Sequence, residues 1–560
     1  MFLRRLATAF LLAAGVLPAQ QSSDTAMGLF PFLVGNMDGR VNEVVNACAS
    51  RGIDTIYCSV FRTTGALQGD LWITDANGTW NPAFGPVRPG GAGIDLRSLI
   101  NVAHASNLRV VGVLKCFADN VQPTDAAHRQ YLLDVIGWFV DQFAADGRPL
   151  YDLDGFALDY VRFVSAASGN SPTFVTDFVR DVKARIGVLS LHAYLLANRY
   201  TFDGPNYDLN FASYSSVIAS LASQFGQHWE QMARHVDVMM PMTYSADGSI
   251  YQGFNEHEAY VRFATTYCRT ACANAGFPTR RVCPVVKTYS GEGETTTTTT
   301  IDASISGALN GGASGWQAFR YATMQTSWWP ILAAHATPGA NFPRPGAAIV
   351  VNRLSGTLDT TSSSDIDQPW DSLQVRVDWN DDGILDTIWM NSASFARLAP
   401  AVGVQRLGLL VRDNDGHLAA TRRRWTSAAP FAALPGGFFA SQPVHVALSL
   451  DAGPAAAAHG YFVLASISGT SPGVTWAPGF PVPLNLDPFT DALFAAANSP
   501  IFQNAFGTLD ANGRGVANFV LPAGLLGPLA LRTINWCALG TTPQGLPAFV
   551  SNATATFILP

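Results

Sequence analysis

Three observations predict an α/β fold that begins with a (β/α)₈ TIM barrel and continues into two all-β sandwich-like domains. Over residues 27–335, eight short apolar runs alternate with stretches of helical periodicity. Eight such units in about 300 residues match the number and size of a closed parallel barrel. Beyond residue 335 the pattern changes to short alternating strands, which follow Pro/Gly-rich linkers at 336–347 and 426–437.

The amino terminus indicates export. Arg4 and Arg5 precede an apolar run at 6–17, and small residues follow, so a signal peptide is predicted over residues 1–19. That run is shorter than the roughly 20 residues of a membrane-spanning helix, and no later run reaches that length. We therefore expect a secreted or extracytoplasmic protein, in the periplasm or at the cell surface, without a membrane span.

Composition narrows the range of partners. Only 13% of the residues are charged and the net charge is −7. Nucleic-acid binding depends on clustered lysine and arginine, so no nucleic-acid partner is expected, and a neutral or weakly polar substrate fits better. The seven cysteines allow up to three disulfides in an oxidising compartment, with connectivity open. Cys268, Cys272 and Cys283 lack zinc-site spacing, so no metal is expected there.

The barrel strands are predicted at the apolar runs 29–35, 54–61, 108–117, 153–163, 189–198, 236–244, 281–289 and 314–321. Between them lie helical patterns such as 128–146. In barrels of this kind the chemistry lies where strands end and the following loops begin. The polar residues at the run ends are therefore the candidates for function: Arg62, Lys115, Asp159, Asn198, Tyr244, Lys287 and Arg320.

Asp159 is the acid that the fourth run brings to this end. Alternation places Gly155, Ala157 and Asp159 on one strand face, which points inward in a closed barrel. The alternative is an ion pair with Arg162 or a capped loop, but the position at the end of strand four favours function. Asp154, at the start of the strand, is expected to be structural.

The stretch DGFALDYVRF (154–163) resembles the fourth-strand signature of glycoside-hydrolase-like barrels, D-G-I-x-F-D-Y-[IV]-R-[FY]-P, with Val164 in place of the closing proline. The run VDVMMPMTY (236–244) is similar to the sixth strand of the same families, D-x-x-x-P-M-x-Y. This resemblance covers the barrel, about 27–335, and implies hydrolysis of glycosidic bonds.

Two better-understood families share part of this pattern. In family 18 chitinases the general acid is a glutamate where this chain has Val161, and Ala157 and Ser245 replace two of their aspartates, so their mechanism is not expected. Family 13 amylases place their nucleophilic aspartate where Asp159 stands, but their arginine is Ala157 here. Asp159 is the element common to all these comparisons.

A glycosidase usually pairs two carboxyl groups. If Asp159 is the nucleophile or general acid, its partner comes from another loop. Glu292 is our first choice, in a Gly-flanked loop after strand seven, and Asp247 after strand six is weighed about equally. An acetamido group of the substrate is an alternative to a second carboxylate, and the acids near Glu292 alternatively begin a helix. The further candidates are Glu294, Asp203 and Asp119.

Aromatic and basic side chains at the strand ends are predicted to bind the sugar. Flat rings stack on sugar faces, and cations position hydroxyl groups or Asp159. Trp72 and Trp80, in the long loop 65–93, are expected to line the cleft. The predicted binding residues at the strand ends are Tyr160, Tyr244, Tyr289 and Trp316 among the aromatics, and Arg62, Lys115, Arg162 and Lys287 among the cations.

The segments 348–428 and 438–560 are predicted to form β-sandwiches. DWNDDGILD (378–386) resembles polycystic-kidney-disease-like (PKD-like) modules. Its Asp378, Asn380, Asp382 and Asp386 have calcium-loop spacing, but the twelfth position is Trp389 instead of glutamate, so an Asx-stabilised turn is favoured over structural calcium. No other cofactor is expected. The C-terminal domains are candidates for attachment to the cell envelope.

The sequence thus predicts a secreted glycoside hydrolase that acts on a poly- or oligosaccharide by carboxylate acid/base catalysis. The alternative is a noncatalytic carbohydrate-binding or cell-surface protein on the same scaffold. It would lack a second acid near Asp159.

Overall fold

The computed structural model describes thirteen stretches of the chain: 24–30, 37–76, 79–87, 93–164, 170–197, 199–203, 209–243, 254–290, 295–336, 342–400, 402–427, 431–477 and 480–560. The predicted signal peptide lies outside the described residues. So do five of the candidate site residues: Asn198, Tyr244, Asp247, Glu292 and Glu294.

Parallel strands close into an eight-position barrel, which confirms the predicted fold class. The ring closes because β1 pairs with both the second and the last strand, and the seventh position is interrupted at Pro284 into two short strands. The strands of this sheet are β1 (Asp24–Leu29), β2 (Thr55–Gly65), β3 (Gln68–Leu71, antiparallel to β2), β4 (Arg109–Lys115), β5 (Gly155–Asp159), β6 (Ser190–Leu196), β7 (Val238–Met242), β8 (Arg281–Val282), β9 (Val285–Lys287) and β10 (Gly315–Phe319).

Helices follow the strands, and several begin at a side-chain cap. The carboxylates of Asp95 and Asp125 and the hydroxyl of Ser213 each accept a backbone N–H of the first helical turn. No helix in the described stretches is both long and apolar enough to cross a bilayer. The helices are α1 (Val41–Ala49), α2 (Leu96–Ala105), α3 (Ala126–Val140), α4 (Pro172–Ile186), α5 (Arg199–Asp203), α6 (Tyr214–Phe225), α7 (Trp229–Met232), α8 (Phe254–Asn274), α9 (Thr298–Asn310) and α10 (Trp329–His335).

The remaining chain forms separate, mainly antiparallel sheets, in the orders β11-β12-β15, β14-β13-β16-β17, β18-β20-β26-β24, β19-β29-β27-β21-β25 with β28 beside β27, and β22-β23. Their elements are β11 (Ala348–Asn352), β12 (Ser355–Asp359), β13 (Gln374–Asp378), β14 (Met390–Asn391), β15 (Ser394–Leu398), β16 (Gly403–Arg412), β17 (Leu418–Ser427), β18 (Phe431–Leu434), β19 (Gly437–Phe439), β20 (Val444–Asp451), β21 (Gly460–Ser466), β22 (Val474–Ala477), β23 (Phe480–Val482), α11 (Pro488–Ala495), β24 (Phe502–Gln503), β25 (Phe506–Thr508), β26 (Arg514–Leu521), β27 (Thr533–Thr541), β28 (Pro547–Val550) and β29 (Thr554–Leu559).

Contacts between residues divide the chain into two compact units. The first holds the described residues up to Pro345 together with Ser363–Asn391 and Gly408–Arg423, and the second holds Gly346–Ser362, Ser392–Leu407 and the chain from Arg424 onward. The segment 348–428 therefore contributes to both units. Its assignment as one PKD-like domain stays a prediction.

The two faces of β5 show how the barrel unit is packed. Phe156 and Leu158 point outward into the core shared with the helices, where Phe156 packs against Phe139 with ring centroids 6.2 Å apart. Ala157 points inward and packs with other inner residues such as Tyr194. Gly155 is required by close approach, because a Cβ there would lie 2.4 Å from the Ser190 carbonyl oxygen.

The seven cysteines are all buried free thiols, so none of the disulfides that the composition allows is present. Cys48 and Cys58, for example, lie in the apolar core of the barrel unit, where a thiol behaves as a small hydrophobic side chain.

Candidate active site

Asp159 ends β5 at the carboxyl-terminal mouth of the barrel. Strand register sets Lys115, the last residue of β4, directly beside it. On the opposite edge of β5, Leu158 pairs with Ala193 of β6. The residues that follow in this register are Asp159 and Tyr194. Two adjacent strands thus end in an ammonium and a carboxyl, and the buried Tyr194 is next to Asp159 in the register of the third strand.

The Asp159 carboxyl is partly buried and has one close hydrogen bond. The Tyr160 backbone N–H donates to Asp159 Oδ1 at 2.8 Å. Burial raises the pKa of Asp159 above its ordinary value, and the Tyr160 N–H, Arg162 and Lys115 offset only part of that rise. A raised pKa keeps the carboxyl protonated to a higher pH than an exposed aspartate, which suits a proton donor.

Tyr160 departs from the alternation of its strand. Its φ of 52° lies in the left-handed region, which is unfavourable for a non-glycine residue and concentrates at functional sites. The ring lies between two cations, with Lys115 Nζ 4.5 Å and Arg162 Cζ 4.6 Å from its centroid. Strict alternation would place Tyr160 with Phe156 and Leu158. The positive φ instead brings it to the Lys115 side, where it joins the mouth.

Arg62 extends this side of the mouth by one more strand. It is level with Lys115 in the register of β2 and β4. Its guanidinium lies 3.4 Å from a carboxylate oxygen of Asp119, in the loop after β4. Asp119, a candidate second acid, is therefore engaged in an ion pair with Arg62.

A second group of similar composition lies at the end of β9 and β10. Lys287 Nζ is 4.6 Å and Arg320 Cζ 5.0 Å from the centroid of the Tyr289 ring. Phe319 packs against the same tyrosine with centroids 6.0 Å apart. Lys287 and Tyr289 thus lie at the mouth as predicted, but both are buried, so Tyr289 offers little ring face to a ligand.

Three tryptophans do not lie where the sequence analysis put them. Trp316 is on the outward face of β10, buried among helices, and its indole N–H donates to the His335 carbonyl at 3.3 Å. Trp72 and Trp80 are buried as well, and Trp80 packs against Trp138 with centroids 4.9 Å apart. These positions correct the prediction that the three indoles line the cleft or bind the sugar, because each indole is buried.

The acids with calcium-loop spacing are turned toward backbone N–H groups. Asp378 accepts from Asp382 N (3.2 Å) and Gly383 N (2.7 Å), and Asp386 accepts from Trp379 N (2.7 Å). Asp382 accepts from the Ile384 N–H at 2.8 Å. These bonds are those of an Asx-stabilised turn. The described residues contain no cluster of His, Cys, Asp and Glu suited to a metal.

The barrel interior below the mouth contains a polar layer that the sequence analysis missed. Tyr57 Oη lies 2.6 Å from His192 Nδ1, and the Gln317 side-chain amide donates to the Tyr194 hydroxyl at 2.9 Å. The signal was present as polar residues at alternate positions of "LHAYL" and "WQA", the pattern of an inward strand face. Burial holds the pKa of His192 well below its usual range, so its imidazole is neutral.

The two described candidates for the second carboxylate both have partners. Asp119 is paired with Arg62, and Asp203 is buried and accepts the Leu209 N–H at 2.9 Å. The preferred candidates Glu292 and Asp247 lie outside the described residues. Val161, at the position of the family 18 glutamate, is completely buried in the outer core and offers no acid.

No family model matches the sequence, and no curated protein matches it either. Solved structures with a similar course of the chain include the spore cortex-lytic enzyme SleL of Bacillus megaterium, at 9% identity and a TM-score of 0.36, over 57% of this chain and 75% of that chain. A class V chitinase of Pseudomonas fluorescens has 9% identity and a TM-score of 0.36, over 56% and 100%. The endo-1,4-β-mannanase of Rhizomucor miehei has 9% identity and a TM-score of 0.37, over 56% and 93%. Likeness at this level carries no conclusion about the reaction, and the fold rests on the strand order described above.

Proposed function

We propose that the barrel is a glycoside hydrolase in which Asp159 is the general acid. The observation that carries this proposal is the position of Asp159: a desolvated carboxyl with a raised pKa at the carboxyl end of β5, in the ring of polar side chains at the mouth. An aspartate at the amino-terminal end of the barrel, or one fully engaged in ion pairs, would not support this proposal.

The proposed step uses Asp159 in its protonated form. Its O–H proton passes to the glycosidic oxygen as the bond from that oxygen to the anomeric carbon breaks, and water adds to the anomeric carbon. The proton of that water passes to a second carboxylate, for which Glu292 and Asp247 are the proposed sources. In the alternative assignment Asp159 is the nucleophile and attacks the anomeric carbon as a carboxylate.

One neighbour, Tyr160, has a proposed supporting role. Tyr160 is partly exposed, and Lys115 and Arg162 lie over its ring, so its proposed role is to hold these two cations beside the acid. We further propose that the signal peptide 1–19 exports the protein and that the C-terminal sandwich-like region attaches it to an envelope. The barrel would then meet an extracytoplasmic polysaccharide.

The test is hydrolysis of a glycan panel by the full chain and by Asp159→Asn. A general acid contributes about 10²- to 10⁴-fold, so we expect a loss of that size. Asp134→Asn, an exposed aspartate on α3, serves as the matched control and should keep full activity. Equal activity of Asp159→Asn would refute the assignment. Absence of hydrolysis combined with binding of a glycan would favour the noncatalytic carbohydrate-binding alternative.

A further inference from the structure

We propose that the glycan bound at this mouth is acidic, with carboxylate or sulfate groups that the mouth arginines and lysines bind. This inference deepens the proposed function, since it names the substrate class of the same site. It also replaces the expectation of a neutral substrate that the overall composition suggested.

The first support is the arrangement of cations. Arg62 lies beside Lys115 in the register of β2 and β4, Lys115 and Arg162 lie over the Tyr160 ring, and Lys287 and Arg320 lie over the Tyr289 ring at the ends of β9 and β10. The chain as a whole has a net charge of −7. The barrel mouth therefore carries clustered positive side chains although the net charge of the chain is negative. The positive electrostatic potential of such a cluster attracts anions.

The second support is that two of the mouth arginines, Arg162 and Arg320, are not neutralised by a described carboxylate. Arg62 pairs with Asp119 at 3.4 Å, while Arg162 and Arg320 make no ion pair within the described stretches. The Nε atoms of all three guanidinium groups are buried without a hydrogen-bond acceptor in that part of the chain. A buried donor without an acceptor is costly, and an anionic group with several oxygens is its natural complement.

The third support is the electrostatic repulsion between Lys115 and the neighbouring Arg62 and Arg162. Burial lowers the pKa of Lys115, and the charges of Arg62 and Arg162 lower it further against the opposing effect of Asp119 and Asp159. An anion bound among these three cations would relieve that repulsion. The planar guanidinium matches the two oxygens of a carboxylate and also binds sulfate, so both acidic groups remain compatible with the arginines.

The experiment measures binding of the full chain to pairs of polymers that differ only in charge. The uronate pair is polygalacturonate and its carboxyl-reduced form, and the sulfate pair is κ-carrageenan and its desulfated form. We expect at least one acidic polymer to bind about tenfold or more tightly than its neutral counterpart, as loss of one charged hydrogen bond predicts. Preference in the first pair identifies uronate as the recognised group, and preference in the second identifies sulfate.

Variants locate the binding at the mouth. Arg162→Gln and Arg320→Gln should each weaken binding of the preferred polymer about tenfold, whereas Arg234→Gln, an exposed arginine after α7, should not change it. Circular dichroism checks that each variant is folded. Equal affinity for charged and neutral polymers, no binding of either acid, or an unchanged affinity in both mouth variants would overturn the inference.

Failure of this inference is distinguishable from failure of the proposed function. Asp159→Asn should still bind the acidic polymer, because the carboxyl is not part of the anion contact. Binding of an acidic polymer that is never cleaved would refute hydrolysis and leave the inference intact. Cleavage of neutral glycans without preference for acidic ones would refute the inference and leave hydrolysis intact.

Discussion

The two ends of β5 place the same residue type in opposite surroundings. Asp154, just before the strand, accepts the Val110 N–H at 2.7 Å and lies 3.0 Å from His104 Nε2 and 3.2 Å from Arg344. Burial alone would raise its pKa, but the charges of His104 and Arg344 outweigh it, and the pKa falls to about 2. Asp159, five residues later, has a raised pKa instead.

The difference extends to the neighbours of each aspartate. At the amino-terminal end of the barrel, Lys183 is 2.9 Å from Asp237 and Arg109 is 3.3 Å from Asp54, so these charges are paired. A cavity of about 760 Å³ opens at that end, yet its lining includes Lys183 and Asp237, which already neutralise each other. The mouth holds cations in excess of described acids. The ion pairs at the amino-terminal end indicate a structural role, whereas Arg162 and Arg320, which make no ion pair within the described stretches, are candidates for binding.

The largest predicted effect separates the two aspartates by stability. Asp154→Asn removes one member of a buried ion-paired group and should lower the free energy of unfolding by about 3 kcal/mol. Asp159→Asn should leave it unchanged or raise it, because the ionised Asp159 carboxyl is disfavoured by burial. Guanidinium unfolding of both variants checks this. Equal losses in the two variants would remove the distinction between the two ends.

The next effect is the pH dependence of the Asp154 contribution. A folded pKa of about 2, below the ordinary 3.8, means that its stabilisation is present above about pH 4 and is lost as the pH falls toward 2. The size is about 2 kcal/mol. The difference in unfolding free energy between wild type and Asp154→Asn should therefore shrink over that range. A constant difference from pH 5 to pH 2.5 would contradict the assignment.

A smaller effect tests the layer between the two ends. Tyr194→Phe removes the hydroxyl that accepts the Gln317 amide N–H at 2.9 Å, and should cost about 1 kcal/mol of stability. Polymer binding should be unchanged, since Tyr194 is buried below the mouth. Thermal unfolding and the binding assay measure the two quantities. Weakened binding with unchanged stability would instead place this hydroxyl in the binding site.

The smallest effect decides between the two roles of Asp159. Lys115→Met removes a cation that lowers the pKa of Asp159, so that pKa should rise. If Asp159 is the general acid, the alkaline limb of the pH–activity profile moves to higher pH. If it is the nucleophile, the acid limb moves upward instead. A profile that matches wild type in both limbs would show that Lys115 does not act on the catalytic carboxyl, and Arg234→Gln provides the reference.

The barrel was predictable because its strands are encoded locally. Eight apolar runs mark them, and the alternation within β5 shows which of its residues face inward. Asp154 was likewise expected to be structural from its place at the start of the strand. The orientation of Tyr160 was not predictable, since one positive φ reverses the alternation at the strand end. Trp316 was wrongly predicted to bind the sugar. Its neighbour Gln317 faces into the barrel, so the alternation of the strand turns the Trp316 indole outward. The absence of a described ion pair at Arg162 and Arg320 was not predictable either, because ion pairing depends on contacts between residues far apart in the sequence.

The path of the chain between the two units has a consequence for synthesis. Residues 408–423 belong with the barrel, where Thr421 donates to Asp152 at 2.9 Å and the Arg422 guanidinium donates to the Val140 carbonyl at 3.0 Å. The ribosome releases the chain from its amino end, so these contacts form only after the segment 392–407 of the other unit has emerged. A gene shortened at the linker after residue 335 would therefore yield a barrel with an uncovered surface, and a truncation series should regain solubility only once residue 423 is included.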